Sequence, residues 1–506
     1  MSQTDVTVIV PVYNTMPYLT DCLTSLVEQT IGRDRMTIMA VDDGSTDGSG
    51  EEIDRFASMY PETVVAIHQP NSGGPASPCN QGLEVATGRF VFFIGADDYL
   101  GTEALERMVK TADAWQSDII LGKIEGVGGR KVYQGIFEKQ SRDLDLFDSR
   151  LPYSLSNVKL FRRELIEGNG LRFPEDLPMG SDQPFTFEAL LRSSRTSVLT
   201  DYVYYYGVRR EDASNITFSA SGIRRAKCAG RVMDFIASLV EAGPRRDSVL
   251  RRHFHWELSE TLQRGFLAAT EDEQIALCAE VGRLVDKYFT DTISDSLGVS
   301  HRLRLELARA GELEMLREVI GVDFGAEPQA PPFISDGARI FRGYPGFGQK
   351  FMSDDVYEVH HRRLLGPVKK QLTISVTCED DGGYAIEADV PVIPRSGEVF
   401  AEIVLDSTPK DAATPKAHIH TAPEDAGKVL ARIRLSPDPD GGTNRIRLRI
   451  EPSALTGGGA YDESLPSLWL RFPVGDTVLD FPVPVPATQA RAATGVWKRV
   501  RQFGRK

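Results

Sequence analysis

The sequence predicts an α/β domain with a mostly parallel, mixed sheet, then a helical segment, and then a β-sandwich region. In the first hundred residues, short apolar runs alternate with segments of helical spacing, which is typical of a βαβ order. Residues 221–320 contain few Gly or Pro and many Leu, Arg, Glu and Ala, which favours helices. Beyond residue 333, short alternating stretches separated by turn signals favour a β-sandwich.

Four runs rich in β-branched and aromatic residues predict the strands of the parallel sheet. They are Val6 to Val12, Met36 to Val41, Val64 to His68 and Phe90 to Ile94. Apolar residues at helical spacing predict the helices between them, over Tyr18 to Val27, Gly50 to Met59 and Ser77 to Ala86. Two later strands are predicted at Asp118 to Lys123 and Val198 to Tyr206, and a helix at Phe185 to Leu191. This order predicts helices on both faces of the sheet.

Length and composition divide the chain of 506 residues into four segments. They are an α/β domain at 1–220, a helical linker at 221–325, a β-rich domain at 333–487 and a basic tail at 488–506. The break between linker and β-rich domain follows from the Pro- and Gly-rich stretch Gly325 to Pro332. In the tail, Trp497 and Phe503 alternate with Lys and Arg. That pattern suits an anionic membrane surface and a disordered, solubilising end equally well.

The formal net charge of −14 argues against a nucleic-acid-binding protein, which needs clustered Lys and Arg. The five cysteines have no paired spacing, so they indicate neither a disulfide framework nor a zinc site. They fit a reducing, cytoplasmic compartment. The N-terminus does not have the pattern of a signal peptide, and no apolar run approaches the ~20 residues of a membrane-spanning helix.

Polar side chains follow the predicted strands at the points where they end. Asp42 and Asp43 follow the second run, Asn71 follows the third, and Asp97 and Asp98 follow the fourth. The ends of parallel strands share one edge, where open α/β sheets bind their ligands. Asp is also common in solvated loops, but three such clusters at successive strand ends favour a functional edge. Two carboxylates there suit a divalent cation, and such a cation suits a diphosphate.

Other features each have a plain structural alternative. Tyr13 is either a core aromatic residue or a ring that stacks on a base. The Gly73-Gly74 pair is either a turn or a site where backbone approaches a ligand closely. Asp182 precedes a predicted helix, so an N-cap is the preferred explanation from the sequence alone. Arg209 and Arg210 are either a solvated pair or the partners of a diphosphate.

Four segments, taken in this order, resemble the family 2 glycosyltransferases and their GT-A fold, a Rossmann-like domain that binds nucleotide sugars. They are Val8 to Asn14, Val41 to Ser49, Asn71 to Pro75 and Gly95 to Asp98. More stretches are similar to the poly(ribitol-phosphate) N-acetylglucosaminyltransferases of wall teichoic acid. These are Gly122 to Arg130, Tyr153 to Ser156, Phe173 to Asp176, Ser181 to Gln183 and Tyr204 to Tyr206.

The resemblance implies a donor site at the edge of the sheet. The residues that would hold the uridine are Pro11, Tyr13, Asp43 and Asn71, with Asp43 on the uracil ring. Asp97 would bind Mn²⁺ or Mg²⁺ on the diphosphate, and Asp98 would lie near the sugar. Asp182 would be the general base for the acceptor hydroxyl. Arg209 or Arg210 would support the diphosphate leaving group.

Three positions depart from the family pattern. Gly95 stands where the metal motif usually begins with Asp, which removes one contact to ribose or metal. Cys79 stands where an arginine usually follows the Gly-Gly-Pro loop, and Ser214 where the relatives have a histidine. The resemblance therefore implies the type of reaction more directly than it implies the identity of the nucleotide and the donor sugar.

The resemblance implies an inverting, metal-dependent glycosyltransferase that uses a UDP-sugar, either UDP-N-acetylglucosamine or a UDP-hexose. Its acceptor would be a hydroxyl of a cell-wall or cell-surface polymer such as teichoic acid, or a lipid-linked precursor. The relatives also carry a C-terminal β-rich region that forms trimers, so an immunoglobulin-like oligomerisation module is implied at 333–487. Two alternatives stay open. One is a transferase for a capsule, glycolipid or protein acceptor, and the other is a non-catalytic scaffold that binds polymer.

Overall fold

The first predicted strand lies inside an eight-stranded sheet in a computed structural model of the chain, and six of its seven residues are buried. Its β-branched side chains suit a strand that is covered on both faces. The strands of the sheet are β1 (Val6–Val12), β2 (Met36–Asp42), β3 (Val64–His68), β4 (Phe90–Phe93), β5 (Tyr99–Leu100), β6 (Ile119–Val127), β7 (Leu160–Arg162) and β8 (Thr196–Val208). Their spatial order is β3-β2-β1-β4-β7-β6-β8-β5.

The sheet is mostly parallel and mixed, as predicted. Strand β1 runs parallel to β2 and β4, and β2 runs parallel to β3. Strand β7 is antiparallel to both β4 and β6, and β5 is antiparallel to β8. The first four strands therefore end at one edge of the sheet, which we call the carboxyl edge.

Helices cover both faces of the sheet. They are α1 (Tyr18–Val27), α2 (Ser49–Met59), α3 (Ala76–Glu84), α4 (Ala104–Trp115), α5 (Arg163–Gly168) and α6 (Asp182–Arg192). Helix α3 packs closely on β1, because a Cβ atom at Gly82 would lie only 2.6 Å from a methyl carbon of Ile9. The absence of a side chain at Gly82 thus lets α3 pack directly on β1.

The structure describes residues 4–210, 221–336, 338–360, 363–379, 384–395, 399–406, 418–421, 428–435, 444–450, 467–474 and 477–483. Ser214 and the basic tail considered above lie outside the described residues. Within them, the chain divides between Ser296 and Leu297 into two units. Among the described residues, every helix is too short or too polar to span a bilayer.

The segment after the sheet is helical, as predicted, and continues into the second unit. In the first unit the helices are α7 (Gly222–Leu239), α8 (Pro244–His253), α9 (Ser259–Thr261), α10 (Arg264–Ala268), α11 (Glu271–Tyr288) and α12 (Asp291–Ser296). A π-helical turn, Phe254–Leu258, separates α8 from α9. The second unit contains α13 (Val299–Ala310), α14 (Leu313–Phe324) and α15 (Leu365–Gln371).

The rest of the second unit is rich in strands, as predicted. They are β9 (Phe333–Ser335), β10 (Ile340–Arg342), β11 (Thr373–Cys378), β12 (Tyr384–Val390), β13 (Val392–Pro394), β14 (Phe400–Asp406), β15 (His418–Thr421), β16 (Lys428–Arg434), β17 (Asn444–Ile450), β18 (Ser467–Val474) and β19 (Thr477–Pro482). They form sheets in the orders β10-β9-β13, β11-β12-β17 and β15-β19-β18-β14-β16. Whether this region is immunoglobulin-like and where its boundaries fall stay predictions.

Candidate active site

The loops that follow β1 and β2 are tied to each other at the carboxyl edge. The backbone N–H of Asn14 donates to Ser45 Oγ at 3.0 Å, and the N–H of Thr46 donates to Asn14 Oδ1 at 2.8 Å. Next to them, the N–H of Met16 donates to Asp47 Oδ2 at 2.9 Å. Asn14 has a φ of 49°, a left-handed conformation that asparagine tolerates better than most residues. These bonds fix the backbone on either side of the predicted uridine site.

Tyr13 lies at this edge and is 47% exposed. The alternative that it is a core aromatic residue is therefore wrong. An exposed aromatic ring beside a loop can stack on a planar base. Pro11 is partly buried on β1, opposite Val41 of β2, so it supports the backbone that presents Tyr13.

The carboxylate of Asp43 is buried and joins the loop after β2 to the loop after β3. It accepts hydrogen bonds from Gln69 Nε2 at 2.5 Å and from Ser72 Oγ at 3.0 Å, and a further one from the Ser72 backbone. The Asn71 side chain accepts from the Gly73 N–H at 2.9 Å. The two loops touch at Gly44, where φ is +75° and a Cβ would lie 2.8 Å from the Asn71 nitrogen. The structure therefore brings Asp43 and Asn71 together.

Asp98 is buried just beyond β4, and protein groups surround its carboxylate. Oδ1 accepts from Arg130 Nη1 at 2.9 Å and from the Val208 N–H at 2.7 Å, while Oδ2 accepts from the Tyr205 hydroxyl at 2.5 Å. Burial raises the pKa of Asp98 to about 6; Arg130 counteracts this, and the adjacent Asp97 adds to it. Asp98 thus joins the end of β4 to the end of β8.

Asp97 faces the loop after β1. Arg210 Nε donates to Asp97 Oδ2 at 2.8 Å, and Arg210 Nη1 donates to the carbonyl oxygen of Asn14 at 3.3 Å. Both side chains of the ion pair are largely buried, with 15% and 12% exposed. Arg209 is exposed, and its backbone N–H donates to the Val127 carbonyl. Of the two arginines considered from the sequence, the one brought to Asp97 is therefore Arg210.

The side chain that Gly95 lacks would point at both carboxylates. A Cβ at this position would lie 3.1 Å from Asp97 Oδ1 and 3.1 Å from Asp98 Oδ2. In the part of the chain that the structure describes, no three His, Cys, Asp or Glu side chains are grouped as in an all-protein metal site. Mg²⁺ is often held by one or two carboxylates together with substrate phosphates. The residues present therefore fit a cation that reaches Asp97 with a diphosphate.

Asp182 is the first residue of α6. Ser181 occupies the N-cap position and makes no capping hydrogen bond, so the N-cap explanation of Asp182 is wrong. Burial raises the pKa of Asp182, whereas the positive charges of Arg252 and Lys159 oppose that shift. A carboxylate whose pKa is raised is a stronger base than a solvated one.

A cluster of phenylalanines connects Asp182 to the end of β4. Phe185 lies one turn after Asp182 and stacks on Phe173 with ring centroids 4.1 Å apart. The same ring packs edge-on against Phe93 at 5.5 Å, four residues before Asp97. All three rings are buried. Helix α6 is therefore held at a defined place relative to the carboxyl edge.

The segment that leads to Asp182 also lies against the loop after β3. A Cβ at Gly74 would come within 3.4 Å of the Pro178 carbonyl oxygen. Cys79, on the first turns of α3, is close enough to Asp182 for that carboxylate to raise the pKa of the thiol, in addition to the larger effect of burial. The candidate base is thus next to the loop that carries Asn71.

Several residues of the site were not assigned a role from the sequence. Arg130 and Tyr205 lie in stretches that carried the resemblance, but no pattern showed that they contact Asp98. Lys159 is a single lysine before the apolar run Leu160-Phe161, which is a weak signal of burial. The arginines of α8 look like an ordinary solvated helix face.

Comparison with protein-family models matches the description "Glycosyl transferase family 2" at residues 7–168 and "Glycosyl transferase TarS linker domain" at residues 226–320. A poly(ribitol-phosphate) β-glucosyltransferase of Bacillus spizizenii is 30% identical over 368 residues, which cover 71% of this chain and 56% of the relative. The poly(ribitol-phosphate) β-N-acetylglucosaminyltransferase TarS of Staphylococcus aureus is 39% identical over 204 residues, covering 40% of this chain and 35% of the relative. The chain thus spans about half or less of the length of these two relatives.

Solved structures agree with these matches. The crystal structure of residues 1–349 of S. aureus TarS in complex with UDP-GlcNAc has a TM-score of 0.58 and 29% identity, and it covers 67% of this chain and 97% of that chain. A crystal structure of S. aureus TarS covers 95% of this chain and 77% of that chain with a TM-score of 0.62 and 23% identity, which supports the fold alone. The resemblance inferred from the motifs is confirmed. The chain contains a family 2 glycosyltransferase domain followed by a TarS-type linker domain.

Proposed function

We propose that this chain is an inverting glycosyltransferase that moves a sugar from a UDP-sugar to a hydroxyl of a cell-wall polymer such as teichoic acid. The observation that carries the proposal is the placement of Asp182. This carboxylate has a raised pKa and is fixed, through Phe185 and Phe93, beside the edge where Asp97 and Arg210 form their ion pair. A base and a diphosphate-binding cation at one edge are what transfer from a nucleotide sugar requires. The names of the relatives indicate the polymer.

In the proposed reaction, the donor lies along the carboxyl edge. The residues that would hold its uridine are Pro11, Tyr13, Asp43 and Asn71. Asp98 helps to shape the site near the sugar, because it ties the end of β4 to β8. The Asp182 carboxylate takes the proton of the acceptor hydroxyl while that oxygen attacks the anomeric carbon. The bond from that carbon to UDP breaks, and Arg210 offsets the charge on the departing diphosphate.

The finer points belong to the same proposal. Mn²⁺ or Mg²⁺ held by Asp97 would supply further positive charge to the diphosphate when bound. The donor sugar would be N-acetylglucosamine or a hexose. The enzyme would work in the cytoplasm, with the basic tail touching an anionic membrane surface and the β-rich region forming a trimer. Gly95 is the feature that favours a second candidate, a non-catalytic polymer-binding scaffold, because it removes the first carboxylate of the metal motif.

The test is a donor screen on the full chain. Thermal shift with Mn²⁺ would identify the UDP-sugars that bind, and mass spectrometry of poly(ribitol phosphate) would report sugar added to the polymer. We expect at least one UDP-sugar to stabilise the chain and to be transferred, with activity lost in EDTA and restored by Mn²⁺. Binding without transfer or hydrolysis would favour the scaffold. Transfer to a lipid, protein or capsule acceptor alone would show that the acceptor is not a cell-wall polymer. Full activity in EDTA would show that the reaction needs no metal.

A further inference from the structure

Gln183, the neighbour of the candidate base, takes part in a closed triangle of hydrogen bonds with two residues of the helical segment. Arg252 Nη1 donates to Gln183 Oε1 at 2.7 Å and lies 2.8 Å from Glu257 Oε1. Gln183 Nε2 donates to the same Glu257 oxygen at 3.4 Å. Arg252 is buried, and Glu257 is largely so. Taking both charges of such an ion pair out of water costs free energy, so a buried ion pair is by itself weak evidence of added stability.

The backbone of the helical segment is adapted to form this triangle. Arg252 is the second-last residue of α8, which ends at His253, whereas Glu257 lies in the π-helical turn that follows. Residues five positions apart point in different directions on an α-helix, but a π-turn, with its i to i+5 hydrogen bonds, brings them toward one face. Such turns often occur at functional sites. The π-turn therefore lets one segment present both a cation and an anion to Gln183.

Two cations affect the Asp182 carboxylate from different elements. Arg252 comes from α8, and Lys159 comes from the loop before β7. Lys159 is fully buried and donates to the Ser156 carbonyl oxygen at 2.5 Å. Burial lowers the pKa of Lys159 to about 7, although Asp182 counteracts the shift. Cys79 also lies near Asp182, but its thiol is neutral because burial raises its pKa.

These two cations differ in how constant their charge is. A guanidinium stays protonated at every pH that an enzyme assay covers, whereas a lysine that titrates near neutrality does not. Arg252 is therefore the positive charge that opposes the protonation of Asp182 at every pH of the assay. Glu257 partly neutralises that charge, because it is the ion-pair partner of Arg252. Nδ1 of His253 lies 3.6 Å from the other oxygen of Glu257, but burial lowers the pKa of His253 to about 4.

We propose that Arg252 and Glu257 are positioning residues for the transfer reaction: through Gln183 they hold the first turn of α6, and together they set the charge that Asp182 experiences. This inference depends on the proposed function, in which Asp182 is the base. It makes the helical segment part of the active site, since the α/β domain alone lacks both residues.

The test uses the full chain and compares Arg252→Gln, Arg252→Lys and Glu257→Gln with a control, Arg283→Gln. Arg283 also pairs with a glutamate, Glu280 at 2.6 Å, but within α11. For each variant, kcat and the KM of the UDP-sugar are measured as a function of pH, and thermal unfolding is recorded. A purely structural role for the triangle would lower stability and activity without moving the pH profile.

We expect the acidic limb of kcat to move to higher pH in Arg252→Gln, because a cation that favours the ionised base is lost. In Glu257→Gln the acidic limb should move to lower pH, because Glu257 no longer partly neutralises the positive charge of Arg252. Arg252→Lys should keep the acidic limb of kcat close to that of the wild type, because a lysine beside Glu257 is protonated at the acidic pH where that limb lies. On the acidic side, kcat of Arg252→Gln should fall at least about tenfold, with the donor KM little changed. Arg283→Gln should behave as the wild type.

Each variant has its own predicted direction of shift, so either one tests the proposal if the other is unstable. Limbs that do not move, or that move in the same direction, would overturn it, as would a change confined to the donor KM. If the wild type transfers no sugar, the proposed function fails instead. In that case ¹³C NMR titration of Asp182, assigned with Asp182→Asn, still decides whether Arg252 and Glu257 shift its pKa in opposite directions.

Discussion

Arg210 donates a hydrogen bond to Asp97 although the two residues are 113 positions apart in the chain. In the proposed reaction, this guanidinium contacts the diphosphate of the donor. We expect Arg210→Gln to weaken UDP binding about tenfold, because a charge-assisted contact to phosphate is lost. Isothermal titration calorimetry measures the change, with Arg209→Gln as the matched comparison. If Arg209→Gln lost as much UDP affinity as Arg210→Gln, the assignment of Arg210 as the contact to the diphosphate would be contradicted.

Asp182→Asn removes the candidate base with almost no change in shape. We expect kcat to fall at least about 100-fold, since proton transfer by a positioned side chain commonly contributes that much. UDP-sugar affinity should stay close to that of the wild type, because the uridine and diphosphate contacts are elsewhere. Single-turnover transfer and calorimetry on the same preparation separate the two quantities. A folded variant that turns over normally would exclude Asp182 as the base.

Gly95→Asp restores the carboxylate that the family motif usually has. The new side chain would crowd Asp97 and Asp98, whose oxygens lie 3.1 Å from a Cβ at this position, and its charge would be repelled by both. We expect its melting temperature in EDTA to lie below that of Gly95→Ala, which adds the same Cβ without the charge. Mn²⁺ should narrow that difference, because a bound cation offsets the repulsion. An equal effect of Mn²⁺ on both variants would argue against a cation at Asp97.

Asp98→Asn tests the energetic effect of the buried carboxylate. Because the pKa of Asp98 is raised to about 6, the folded chain binds its proton more tightly than the unfolded chain does. The stabilising contribution of Asp98 is therefore full at low pH and is lost as the pH rises through about 6. Relative to wild type, the substitution should lower the free energy of unfolding by about 2 kcal/mol more at pH 4.5 than at pH 7.

Urea unfolding in EDTA at these two pH values measures the difference. Asp201→Asn is the control, because Asp201 is an exposed carboxylate on β8, paired with Arg107. The control should show no comparable dependence on pH. If Asp98→Asn lowered the free energy of unfolding equally at both pH values, burial would not raise the pKa of Asp98.

The parallel strands, their order along the chain and the helical segment could be predicted because each is a local pattern. A run such as Val6–Val12 can bury both faces only inside a sheet, and the polar residues that follow such runs must then meet at one edge. The position of Asp97 at that edge followed from the same reasoning. The assignment of Asp182 depended on the family resemblance, since local pattern alone favoured an N-cap.

The sequence by itself thus determined which segments are strands and helices, where the carboxyl edge lies and to which family the first domain belongs. Only the tertiary structure decided that Arg210 rather than Arg209 meets Asp97, that Asp98 is enclosed by Arg130 and Tyr205, and that Arg252 reaches Gln183. These contacts join residues far apart in the chain, and burial raises the pKa values of Asp98 and Tyr205. A local pattern of residue types determines neither the distance between two side chains nor the loss of water around them.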